Sequence, residues 1–430
     1  MLPYTAAPVL CNIRPSASRV DRSLQNLPTR SAGPASAAAS NKSLPRTMAI
    51  LLFLFFTSNL PVSYTSPLPI SENSTSNNIS SHRRTPTGSC GTGNPVDDCW
   101  RCDPSWATNR QRLADCAIGF GRNALGGKNG RIYVVTDPGD DDPARPAPGT
   151  LRYGLAQHEP LWIVFDRDMT IRPRQELLVS SYKTVDGRGA RVVVGDGGAC
   201  FTLRNVSNVI IHGVTIRQCR PARKSARGWE LSDGDGVTVF RSRDVWVDRC
   251  SLEDCADGLL DVIEASTAVT VSNCLMTNHD KAMLLGHNDA FSDDRGMRVT
   301  VAFNRFGPGL VQRMPRCRFG VFHVVNNDYV SWEKYAIGGS ASPTILSQGN
   351  RFCAGKEKEV TKRDGDPPNS EWRNWSWTSD GDLMLNGAFF RASGRPGPAV
   401  KAPSFVKSAS FVAPMTASAG ALSCNKGCLC

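Results

Sequence analysis

From residue 209 onward one eight-residue pattern keeps returning, clearest in VWVDRCSL (from 245), VTVSNCLM (269), VTVAFNRF (299), FHVVNNDY (322) and ILSQGNRF (345). The starts are 24, 30, 23 and 23 residues apart, and a weaker copy, VIIHGVTI, begins at 209. Short β-type segments at a near-constant period, with no helical pattern between them, predict one coil per repeat, each burying its neighbour's apolar side chains. The fold class expected is all-β: a single-stranded right-handed parallel β-helix with N- and C-terminal extensions. A sandwich would need hairpin turns, and a propeller would need a blade period near 40 residues. Neither pattern is present.

The sixth place of the pattern is occupied by Cys250, Cys274, Asn304, Asn327 and Asn350 in successive copies. A polar residue recurring at one inward turn predicts a ladder of side-chain amides bonded from rung to rung. Strands of neighbouring rungs lie about 4.8 Å apart, within the span that a disulfide accepts. Cys250 and Cys274 are therefore either a disulfide replacing an amide pair or two buried free thiols, and the second is favoured because ladder side chains run parallel.

The ends of the chain read differently. Residues 1–47 carry six basic side chains against Asp21, which accounts for five of the eleven net positive charges. Met48–Phe56, MAILLFLFF, is too short to cross a membrane and suits the apolar core of a signal peptide, taken here as residues 48–65. Its distance from Met1 favours translation starting at Met48, with 1–47 an extension. An organellar transit segment is the alternative. Residues 66–89 read as a disordered linker, 90–390 as the β-helix domain, and 391–430, rich in Ala, Ser, Gly and Pro, as a poorly ordered tail. The sequons at Asn73, Asn78, Asn205 and Asn374, together with fifteen cysteines, fit secretion into an oxidising space. CWRC at Cys99 and Cys102 lacks a second such pair, so structural disulfides are expected there rather than zinc. The remaining positive charge suits a polyanionic partner, and no nucleic-acid motif or interleaving of aromatic with basic residues is present.

The chemistry concentrates in SDGDGVTVF. Asp233 and Asp235 stand one glycine apart at the start of a strand-like run, which by itself is more often a turn than a metal site. An EF-hand is excluded, since the sixth and twelfth positions counted from Asp233 are Thr238 and Asp244. About one rung further on, ADGLLD supplies Asp257 and Asp261. In a stack of coils these four carboxylates converge on one face, where crowded like charges require protonation or a cation, and hard oxygen donors suit Ca2+. Lys281 in NHDKAMLLGH and Arg313 and Arg318 in QRMPRCRFG follow on the same lateral surface. A cation beside guanidinium groups forms a site for carboxylate-bearing ligands.

These blocks, together with NPVDDCWRCDPSWATNRQRLADCAIGFGRNALGGKNGRIYVVTDPGDDDP, PGTLRY, PLWIVF, TVDGRG, HVVNNDY, YAIGGSASPTILSQGNRF and GDLMLNGAFF, resemble those of plant pectate lyases (polysaccharide lyase family 1) over roughly residues 94–390. The resemblance implies a pectin-lyase-like β-helix that binds Ca2+ and cleaves de-esterified homogalacturonan by β-elimination, giving 4,5-unsaturated products. It implies Asp233, Asp235, Asp257 and Asp261 as calcium ligands, Arg313 as the catalytic residue, and Lys281 and Arg318 as substrate-binding residues. It also implies Cys99–Cys116 and Cys200–Cys219 disulfides, and a secreted, monomeric protein of the plant cell wall without stable membrane association.

Two positions depart from the family's pattern. WVDRCSL stands where members usually carry WIDHNSL, so Arg249 and Cys250 replace His and Asn, and the segment before Asp233 is shorter and more basic than usual. Two other functions compete. A polygalacturonase-type hydrolase needs a carboxylate pair acting about a water, against which the basic constellation and GHN at Gly286 speak. A weakly active or inactive wall protein would grip pectate through calcium without cutting it.

Overall fold

Strands in the computed structural model run parallel and pair with their counterparts one coil away in chain order. The structure describes residues 91–222, 233–395 and 403–430, so the leader, signal and linker expected over 1–89 lie outside the described residues. The described strands form three long parallel sheets of ten, eight and nine strands, and a small ribbon of His279–Lys281 with Leu310–Gln312. This is the parallel β-helix that the repeat predicts.

Register follows the repeat. Val245, Val269, Val299, Phe322 and Ile345 are successive partners in the ten-stranded sheet. That sheet is covered on both faces, which explains the wholly buried run Leu161–Phe165. Inward residues such as Val247, Val271 and Val301 fill the bore. Outward Trp162, Ile210 and Trp246 pack under Trp100, Trp106, Val412 and Met415 from the two ends of the chain.

The amide ladder is built as expected. Asn304 Nδ2 donates to Asn327 Oδ1 at 2.9 Å and Asn327 Nδ2 to Asn350 Oδ1 at 3.0 Å, and Asp382 Oδ1 ends the file. Beside it Phe306, Tyr329 and Phe352 stack at 4.7 and 4.5 Å between centroids. Cys250 and Cys274 are free buried thiols. Each donates to a carbonyl in its own rung, at 3.4 Å to Asp248 O and 3.2 Å to Ser272 O. Cys99–Cys116 and Cys200–Cys219 are disulfides, each with its α-carbons 5.7 Å apart. Cys102 is also disulfide-bonded, so CWRC is neither a zinc nor a dithiol site.

The tail departs from its composition. Residues 403–430 are not loose among the described residues: Val412 and Met415 are buried against the ten-stranded sheet. Gly420 N donates to Asn273 O at 2.7 Å and Ala421 N to Ser251 Oγ at 3.0 Å. Trp106 Nε1 donates to Cys428 O at 3.0 Å, and Cys424–Cys430 closes the end. Small residues suit this course because the backbone lies close against finished rungs. Arg249, one of the two departures from the family's pattern, is only 1% exposed. Its Nε donates to Asp97 Oδ1 at 3.0 Å, its Nη2 also reaches Asp97, and its Nη1 reaches Ser418 O. One buried guanidinium thus joins the N-terminal helix Pro95–Trp100, a rung and the C-terminal arm.

Candidate active site

On the outer face of the eight-stranded sheet, strand alternation sets side chains in files. One file reads Thr202, Thr238, Asp261, Leu284, Arg316, Gly338 and Lys362, partners in consecutive rungs. Its acidic member, Asp261, therefore lies below its basic members, Arg316 and Lys362, at about 4.8 Å per step.

Asp235 and Asp261 meet over Gly258. Asp235 Oδ1 accepts from Gly258 N at 2.7 Å and its Oδ2 from Thr238 Oγ1 at 2.9 Å. A methyl group on Gly258 would collide with Asp261 Oδ1 and lie 3.1 Å from Asp235 Oδ1, so only glycine leaves that space open. Asp261 is 8% exposed, and its Oδ1 is buried without a hydrogen-bond partner. Burial first, then the charges of Asp235 and Asp257, push the Asp261 carboxyl well above its ordinary range, against which the Arg313 charge acts. Burial likewise pushes Asp235 up to about 6, with Asp257 and Asp233 adding repulsion. Asp233 is exposed at the rim.

Asp257 faces the cationic side, its Oδ1 2.5 Å from Lys281 Nζ. With Asp257 so engaged, no three His, Cys, Asp or Glu side chains among the described residues already close around a single point. The donor set nevertheless fits a divalent ion. An orphaned buried oxygen on Asp261, beside an Asp235 charged only above about pH 6, is an arrangement that a cation would neutralise.

Removing one of these charges has a definite consequence. Asp261→Asn should raise the melting temperature of the chelator-treated protein at pH 8 and abolish the further rise, on the order of 5 °C, expected of the parent chain if saturating Ca2+ fills this site. Differential scanning calorimetry with and without Ca2+ measures both. The sign follows from the raised carboxyls. Their contribution to stability is present below the unfolded value near 4 and is lost as pH rises through the folded value, so at pH 8 the metal-free protein bears the full repulsion.

The basic residues come from neighbouring turns. In the outer ribbon Lys281 pairs with Gln312, so Arg313 follows directly beyond it. Arg313 has φ of +64°, an unusual conformation for a side-chain-bearing residue, and its carbonyl accepts from Met283 N at 2.7 Å. Its Nε is buried without a partner, and no carboxylate within salt-bridge range answers its charge among the described residues. Arg318 is held tightly. Its Nε donates to Asp289 Oδ1 at 2.7 Å, and its Nη1 donates to the carbonyls of Gly286 and His287 at 2.9 and 3.0 Å. Gly286, at φ +109°, is needed there because a Cβ would stand 2.6 Å from that of Arg318. Arg318 is thus a fixed wall of the cleft, 8% exposed.

The family model described as pectate lyase matches residues 170–421. A Zinnia elegans protein named pectate lyase is 58% identical over 89% of this chain and 99% of its own length. The chain belongs to the pectate lyase family. Arabidopsis thaliana probable pectate lyase 18 is 55% identical, over 89% of this chain and 98% of its own. Among solved structures, the major allergen from cedar pollen is similar with a TM-score of 0.74 and 46% identity, covering 77% of this chain and all of its own. A Bacillus subtilis pectate lyase at 19% identity and a TM-score of 0.55 shares the fold.

Sequence reasoning passed over Arg316, Asp364 and Tyr335. Arg316 Nη2 stands 2.7 Å from Asp364 Oδ2. Tyr335, 4% exposed, has its ring where a side chain on Gly338 would fall. The signal for Arg316 was present: in RCR a period-two strand puts residues 316 and 318 on the same outer face. Asp364 gave none, being a turn residue two rungs away.

Proposed function

We propose that this family member is a calcium-dependent lyase that cleaves α-1,4-linked, de-esterified polygalacturonate by β-elimination. The observation that supports this most is the pairing of two repelling carboxylates, the buried Asp261 and the partly buried Asp235, with an arginine that has no salt-bridged carboxylate of its own among the described residues. In this reading Asp235 and Asp261, with Asp233 and Asp257 at the rim, hold Ca2+. When bound, Ca2+ draws charge from the galacturonate carboxylate and makes the C5 proton easier to remove.

The chain's own residues do the rest. Arg318 and Lys281 orient the sugar through its carboxylate. Arg313, standing across from Asp261, acts at C5. It receives the proton as the bond to O4 breaks, or as a guanidinium it steadies the developing anion while hydroxide removes the proton. O4 departs with the sugar it is bonded to and takes a proton from water, and the electron pair of the former C5–H bond becomes the 4,5-double bond. Both routes favour alkaline solution. We propose further that the protein is a secreted monomer acting in the cell wall. No helix among the described residues is long and apolar enough to cross a membrane.

The test is a turnover assay on polygalacturonate followed by the ultraviolet absorbance of the unsaturated uronide. Absorbance should rise with Ca2+ present and stop on adding chelator. Chain shortening without absorbance would make the protein a hydrolase, and binding without either would make it a wall lectin.

A further inference from the structure

Three arginines, Arg313, Arg316 and Arg318, lie within six residues, and two carboxylates answer them. Asp289 holds Arg318, and Asp364 holds one end of Arg316. Arg316 is more open than this pairing suggests. Its Nε is buried without a partner, and no protein hydrogen bond occupies its Nη1 among the described residues, although its side chain keeps 15% of its surface exposed. A guanidinium that is partly desolvated and anchored at one corner is a poor place to leave charge unanswered, and it is well prepared for an incoming anion.

Its position defines which anion. Arg316 is two rungs from Asp261 in the same outward file, about 10 Å along the sheet, with the apolar Leu284 between. Immediately beyond it Gly338 has no side chain, and the buried Tyr335 ring fills that place, closing the file on the upper side. The Tyr335 hydroxyl lies close enough to Arg313 and Arg316 to feel both charges. A sugar acid whose carboxylate faces Asp235 and Asp261 would therefore put the carboxylate of a nearby unit of the same chain against Arg316. Lys362, two rungs further on, is already paired with Asp366 at 3.0 Å.

We propose that Arg316, anchored by Asp364 and walled by Tyr335, is a specificity-determining residue that binds the carboxylate of a uronate unit neighbouring the one attacked, and so sets the enzyme's preference for chains de-esterified at more than one consecutive unit. This rests on the proposed pectate lyase reading. A methyl ester at that unit removes the negative charge, and the guanidinium then gains no ion pair.

The experiment compares Arg316→Gln and Asp364→Asn with the parent chain on fully de-esterified polygalacturonate and on pectin of intermediate, random methyl-esterification. Arg316→Gln should lose about 10- to 100-fold in kcat/KM on the de-esterified polymer, chiefly through KM, and only a few-fold on the esterified one. Asp364→Asn, which leaves the guanidinium in place but unanchored, should fall between. The melting temperature and its Ca2+-induced rise should stay those of the parent chain. Equal losses on both polymers, or a loss in kcat alone, would overturn the assignment. Because the readout is a ratio between two substrates, it is distinct from the assay above: a parent chain inactive on both polymers sinks the lyase reading, whereas an active parent whose preference survives Arg316→Gln sinks only this inference.

Discussion

Replacing Arg313 by lysine is expected to lower kcat on polygalacturonate on the order of 1000-fold while leaving the Ca2+-induced rise in melting temperature intact. The substitution is conservative in charge and in backbone demand, since lysine meets the same left-handed conformation as arginine at φ +64°. What it removes is the planar fork, whose fixed donors can address a developing charge at C5 while still reaching the substrate. Turnover by absorbance and Ca2+ titration by calorimetry on the same preparation separate the two effects. Activity equal to that of the parent chain would remove Arg313 from the mechanism. A lost Ca2+ response would mean instead that the arginine supports the acidic cluster, whose Asp261 already feels its charge.

The second large effect lies away from the cleft. Arg249→Met should cost about 3–5 kcal/mol, because it leaves Asp97 buried with only Arg101, at 3.0 Å, to answer it. Thermal unfolding should move down by about 4–7 °C. Asp97→Asn should destabilise less, because it keeps acceptor oxygen and volume, and the double variant should fall short of the sum since the two residues share one network. Activity per folded molecule at 25 °C should be unchanged, as Arg249 serves the N- and C-terminal coverings and not the eight-stranded face. The substitution of arginine for the family's usual histidine thus falls on architecture: the longer side chain reaches both Asp97 and the carbonyl of Ser418.

Most of this architecture could be read from the repeat. Its period gave the coil, and its sixth position gave the ladder of Asn304, Asn327 and Asn350. The face carrying Asp261 and Arg316 follows from alternation once register is known. Three features were illegible for physical reasons. Residues 403–430 are held by backbone hydrogen bonds and by contacts of small side chains with rungs far away in sequence, and composition does not register such contacts. The engagement of Asp257 by Lys281 depends on the course of an outer ribbon, His279–Lys281 with Leu310–Gln312, too short to announce itself. Asp364 reaches Arg316 from a turn two rungs away, a relation that no local spacing encodes. The cysteine pair at 250 and 274 was a real ambiguity, since register permits a bridge and only side-chain direction decides against it.

The repeat of 30 residues between Val269 and Val299 keeps its strands in the same register as its 23-residue neighbours and spends the surplus on the excursion through residues 286–296. That excursion supplies Asp289 and the two carbonyls gripping Arg318. The pitch of the spiral is therefore rigid while its circumference is elastic. Lineages of such proteins can reshape the banks of the groove by lengthening a single lap, with no cost to the winding above or below.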